Sequence, residues 1–112
     1  MVIYKFIAYL HKGENVVALN VNVNSDFSIQ EVSDVIRSAL ALDERLAKYK
    51  KARYFDLCQN FETKYKMSSD IFMLKFESGQ LDDLDDYFDW YAAKKGFDHW
   101  NKNLNILSGI SL

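Results

Sequence analysis

Apolar and polar positions alternate with a period of two near the start of the chain. Beyond residue 28 they recur every three to four residues, and this change of period predicts a β-hairpin followed by helices. Val2, Tyr4, Phe6, Ala8 and Leu10 share one face of a first strand rich in β-branched and aromatic residues. His11, Lys12, Gly13, Glu14 and Asn15 form a polar break around a glycine, the composition of a hairpin loop. Val17, Leu19, Val21 and Val23 then alternate with Ala18, Asn20, Asn22 and Asn24, which reads as a half-buried strand with one wet face. The hairpin so predicted covers residues 1–24. Two strands alone are only marginally stable in water, so it must pack on a helix or pair with another copy.

Ser28 and Glu31 have the spacing of a capping box, with Phe27 before them as a staple residue. From Ile29 the apolar series runs through Val32, Ile36, Leu46, Tyr49, Tyr54, Leu57, Phe61 and Tyr65, and neither glycine nor proline occurs between Gly13 and Gly79. A long helix over 28–66 is expected, with room for a bend in the basic stretch 48–53. Ser68 or Ser69 can cap a short helix carrying Ile71, Phe72, Leu74 and Phe76, which Gly79 would end as its C′ residue. Asp82 or Asp83 can cap a return helix through Leu84, Tyr87, Trp90, Ala93, Phe97, Trp100, Leu104 and Leu107. Gly96 interrupts this last line at a cost of about 1 kcal/mol. The aromatic phase continues past it, so one helix is expected, two helices meeting at Gly96 being the alternative. Together the short and return helices fill 68–107, and 108–112 reads as a frayed tail.

With 112 residues and 13.1 kDa the chain is expected to be a single domain, 1–112. The fold class expected is α+β, predominantly α: the hairpin, then a long helix, a short helix and a long return helix closing a helical hairpin. At 49% hydrophobic and 15% aromatic, a wholly disordered chain is excluded. No apolar run approaches the ~20 residues of a membrane span. The early charges Lys5, Lys12 and Glu14 do not suit a cleavable signal. Cys58, the only cysteine, cannot form an internal disulfide, so a cytoplasmic setting is expected.

The long helix, at about 38 residues, would reach roughly 57 Å, against ~36 Å for a return helix of about 24 residues. One cannot cover the stripe of the other. Either the first helix breaks near residue 50, or a second copy or another protein buries its stripe; a homo-oligomer is therefore expected.

Charge sharpens the question of partners. Residues 1–66 carry ten Lys or Arg against eight acids, whereas residues 67–112 carry four against eight. Glu77, Asp82, Asp83, Asp85, Asp86 and Asp89 follow one another with no basic residue between. Helix capping accounts for Asp82 and Asp83. Six acids interleaved with Tyr87, Phe88 and Trp90 also suit docking into a basic cleft. Lys48, Lys50, Lys51 and Arg53, flanked by Tyr49, Tyr54 and Phe55, admit a salt-sensitive contact with nucleic acid. On a helix, however, these four do not share one face. The aspartates lack the alternation and glycine of a calcium loop, and no zinc spacing or phosphate-cradling loop occurs. His11 and His99 have no triad partners at recognisable spacing, and Cys58 reads as a packed thiol. No catalytic residue, metal or cofactor is expected, and the enzyme reading is set aside.

The series Tyr65, Met67, Ser68, Ser69, Phe72, Phe76, Gly79, Leu81, Asp82, Asp83, Asp85, Phe88 and Trp90 resembles the C-terminal segment of small prokaryotic antitoxins from toxin–antitoxin operons. The likeness lies mainly over 61–93 and does not extend to the hairpin. Asp89 stands where those proteins usually carry glutamate before the tryptophan. The resemblance implies neutralisation of a cognate toxin by direct binding. On that reading Phe72, Phe76, Phe88 and Trp90 supply anchors, and Asp82, Asp83, Asp85, Asp86 and Asp89 supply charge complementarity. A homodimeric scaffold whose hairpins pair across copies, or a weak nucleic-acid-binding regulator, are the alternatives.

Overall fold

A computed structural model describes residues 2–12 and 15–112. The order is strand β1 (Val2–Lys12), strand β2 (Asn15–Ser25), helix α1 (Ile29–Tyr65), helix α2 (Ser69–Glu77), helix α3 (Asp85–Ser108) and strand β3 (Ile110–Ser111). The protein is thus α+β and predominantly α, as the periodicities predict. The expected loop residues Gly13 and Glu14 lie outside the described residues, as do the side chains of Val2, Tyr4, Phe6 and Leu10.

By its contacts the chain divides into two compact units, Met1–Leu46 with Asn103–Leu112, and Ala47–Lys102. In the first unit β1 and β2 pair antiparallel without a bulge, from Val2↔Ser25 to Lys12↔Asn15. The C-terminal segment is ordered in this unit rather than frayed. Ile110 and Ser111 pair with Leu10 and Tyr9, the His11 N–H donates to the Gly109 carbonyl at 2.6 Å, and His11 Nε2 lies 3.0 Å from Ser111 Oγ. So brief a strand has no period of its own; the free edge of β1 makes it. Sheet order is β2-β1-β3. Asn103 Nδ2 donates to Asp43 Oδ2 at 3.2 Å, a side-chain link between α3 and α1 within the same unit.

Capping chemistry sets the helix ends. The Glu31 N–H donates to Ser28 Oγ at 3.1 Å, which starts α1. The helix runs unbroken through 48–53 and ends where Lys66 turns to φ 52°, with the Met67 N–H on the Glu62 carbonyl. Ser68 caps α2 through a bond from the Ile71 N–H at 3.2 Å. Gly79, at φ 72°, is the left-handed C′ residue expected of it, and its N–H and that of Gln80 close the helix onto Phe76 and Lys75. The expected cap at Asp82 or Asp83 is not used, and α3 begins at Asp85. Leu81 packs on the core ahead of it, so the chain must pass residues 82–84 before a helix can bring Trp90 onto the same core.

That core lies in the second unit: Cys58, Phe72, Trp90 and Ala93 are buried, with Tyr54, Phe61, Tyr65, Met67 and Phe76 packed around them. Phe72 and Trp90 stack at 3.9 Å and 12°, with Phe61 and Tyr65 further out against the indole. Trp90 Nε1 donates to Ser69 Oγ at 2.9 Å, so the one polar atom of the buried indole is satisfied. Glu62 Oε2 accepts the Ser69 N–H at 2.7 Å and occupies a free donor at the start of α2. α3 continues through Gly96, where a Cβ would stand 2.8–2.9 Å from the Tyr54 ring. The glycine is the space that the ring fills.

Candidate interaction surface

The turn from α2 into α3 sets its acidic and aromatic residues in distinct surroundings. Successive residues of a helix are about 100° apart, so Phe88 and Trp90 point to opposite sides of α3. Trp90 is fully buried and Phe88 is 53% exposed. The anchors expected of Phe72 and Trp90 must therefore be corrected: both have no exposed surface, and they bind α2 to α3 and α1 instead of a partner. Phe76 is half-buried; its ring meets Phe88 edge-on at 5.5 Å and stacks on Tyr91 at 4.9 Å. Phe88 is thus held from beneath while its outer face stays open.

The carboxylates divide in the same way. Asp86 accepts bonds from Lys64 Nζ and the Tyr65 hydroxyl, both at 2.6 Å. These two donors hold its pKa below the ordinary carboxylate value, and its carboxylate raises those of Lys64 and Tyr65. It is a structural tie between α1 and α3. Asp82, Asp83, Asp85 and Asp89 are exposed and form no salt bridge among the described residues. Leu84 and Phe88, also exposed, sit among them in the chain.

Leu84 is not among the contact residues that the sequence singles out, nor are Ile71 and Leu74, both exposed on α2. A signal for the latter pair does exist. Ile71, Phe72, Met73 and Leu74 surround a nine-residue helix with apolar side chains, and a helix with one buried face must leave some of them outside.

Lys48, Lys50, Lys51 and Arg53 fall within unbroken α1 and spread around its axis, so they form no single basic face. The Cys58 thiol is buried, and its pKa is raised chiefly by that burial, with the bond to Ser69 opposing; it is protonated at neutral pH and a poor nucleophile. Lys94 bridges Asp98 at 2.8 Å and Asp70 at 3.3 Å. Burial pulls its pKa down, and these two carboxylates outweigh the burial and raise it. Among the described residues no three His, Cys, Asp or Glu side chains gather as a metal would require, and no helix is long and apolar enough to cross a membrane. Compared with protein-family models, curated protein sequences and solved structures, the chain matches none.

Proposed function

We propose that this is a non-enzymatic, antitoxin-like binding protein that sets an acidic surface with aromatic and aliphatic anchors against a basic cleft of a partner protein. The observation that carries the reading is the run 82–89, in which the exposed Asp82, Asp83, Asp85 and Asp89 are interleaved in sequence with the exposed Leu84 and Phe88 and form no salt bridge to any described residue. Carboxylates gathered in this way repel one another, and an approaching Lys or Arg relieves that repulsion. Phe88 supplies the ring that a partner pocket would enclose, on a base already packed by Phe76. The resemblance over 61–93 points the same way and implies a toxin as the partner; that its cleft is basic follows from the acidic surface alone.

The test uses a small basic protein encoded beside this one and toxic when expressed alone. Co-expression of the wild-type chain restores growth, and calorimetry shows an affinity that falls with added salt. Replacing Asp82, Asp83, Asp85 and Asp89 together by Asn weakens binding at least tenfold, and Phe88→Ser does the same, each with an unchanged helical circular-dichroism signal. Asp86 stays untouched because it holds α1 to α3. Full affinity in both variants would remove the surface from the mechanism.

A further inference from the structure

The first unit carries a separate observation. β2 is an outer strand, and one edge of Asn15–Ser25 has no strand partner among the described residues. Proteins protect such an edge with lysine, proline, a bulge or brevity. β2 uses none of these: it has 11 residues, no charge and no proline, and its pairing with β1 is continuous. Its apolar residues Val16, Val17, Leu19 and Val21 are all exposed. In this unit the described buried side chains are only Ala8 and Ser33, so the sheet has no large buried residue of its own, among those described, to rest on.

We infer that β2 pairs antiparallel with β2 of a second copy, joining two three-stranded sheets into one of six strands. Symmetry selects the occupant. Across a two-fold axis a residue at the centre faces itself or a near neighbour and the others face positions equally far on the opposite side, so any charge near the centre would oppose its own image. A strand that recognises a foreign partner gains from opposite charges; β2 has none to offer and none to repel. The alternation also survives the operation. A two-fold through any central residue sets odd positions against odd, so Val17, Leu19, Val21 and Val23 align on one face. Asn20, Asn22 and Asn24 align with one another and with Ala18 on the other face, where their amides can bond across the seam.

Apolar surface continues past the strand. A groove beside the end of β2, lined by Val23, Phe27, Val32, Val35 and Ile36 with Glu31 as its one charged residue, continues the exposed apolar surface onto α1. Val16, Val17, Leu19, Val21, Phe27 and Val35 are exposed. Val17, Leu19 and Val21 share one face of β2, with Val16 on the other, so apolar side chains flank the seam that edge pairing would close.

Sedimentation equilibrium of the purified full chain tests this without any toxin, so its failure and that of the proposed function are separable. The wild type is expected at twice its 13.1 kDa, and the mass should not depend on salt. Asn20→Lys with Asn22→Lys opposes like charges whether the axis passes through residue 20, 21 or 22, and this variant sediments as a monomer. Asn20→Glu with Asn22→Glu does the same, and an equal mixture of the two returns to the dimer. Hydrogen exchange of the wild-type β2 amides, slower at high protein concentration than at low, reads the same contact without a substitution. A monomeric wild type overturns the inference, as does a dimer that the lysines leave intact, a mixture that stays monomeric, or exchange independent of concentration.

Discussion

Gly96 joins the local rules of a helix to the packing of the second unit, and its replacement by alanine sets the two against each other. In an open helix the change would stabilise α3 by about 1 kcal/mol, because glycine has the higher backbone entropy in the unfolded chain. Here the new Cβ would lie 2.8 Å from Cζ and 2.9 Å from two further carbons of the Tyr54 ring. Contacts that short force the ring, the helix or both to move, and overpacking of this kind costs about 1–3 kcal/mol. The ring is half-buried and belongs to the shell around Phe72 and Trp90, so it cannot swing freely away. The net expectation for Gly96→Ala is a loss of about 1 kcal/mol, or roughly 4–8 °C in Tm for a domain of this size. In a Tyr54→Ala background the clash is gone and the same change should stabilise by up to about 1 kcal/mol. Urea denaturation of the four proteins of this cycle should give a coupling of about 2 kcal/mol with a reversal of sign. If Gly96→Ala raises the urea midpoint equally in both backgrounds, the glycine is not there for the ring.

Two further predictions concern the polar ties of the same unit. Ser69→Ala removes the acceptor of the buried Trp90 Nε1 and leaves that donor unsatisfied, which should cost about 1–3 kcal/mol in urea denaturation; an unchanged midpoint would show that the indole finds another partner. Asp86 has a folded-state pKa below its ordinary 3.8, so its stabilisation is present above that value and is lost as pH falls through the depressed one. Lys64 and Tyr65 are raised above 10.5 and 10.0, so their share is complete below those values and disappears as pH climbs past the raised ones. Wild type should therefore exceed Asp86→Asn in stability across the range between, and the two should converge at both extremes; parallel pH profiles would refute the tie.

Where a structural decision is local, it is readable in the residues. Ser28, Ser68 and Gly79 act through side-chain or backbone bonds to positions three to five residues away, and each does what its type and spacing imply. The start of α3 departs from its expected place because it is decided at a distance: Leu81 is drawn to the core that Phe72 and Trp90 form, and Asp82 and Asp83 are left in the approach to the helix. β3 is invisible in the sequence for the same reason, since Ile110 and Ser111 become a strand only through Leu10 and Tyr9, at the far end of the chain.

The candidate surface shows a finer version of this division. Treating Phe72, Phe76, Phe88 and Trp90 as equivalent aromatics overlooks the helical phase, which the sequence does contain. With Trp90 at the centre of the buried face, Ala93 and Phe97 lie on the same side of α3, while Asp85, Phe88 and Asp89 are turned a quarter-circle or more away from it. The same spacing that buries the indole therefore exposes the Phe88 ring, with Asp85 and Asp89 beside it on one flank. It also puts Asp86, one turn before the indole, close enough to the packed face for Lys64 and Tyr65 to hold it. Core and surface here are two readings of one helix, and a change that shifted its phase by a couple of residues would exchange them. That is why the binding surface proposed for 82–89 must be probed with exposed aspartates and Phe88, and why any effect of replacing Trp90 would report on folding alone.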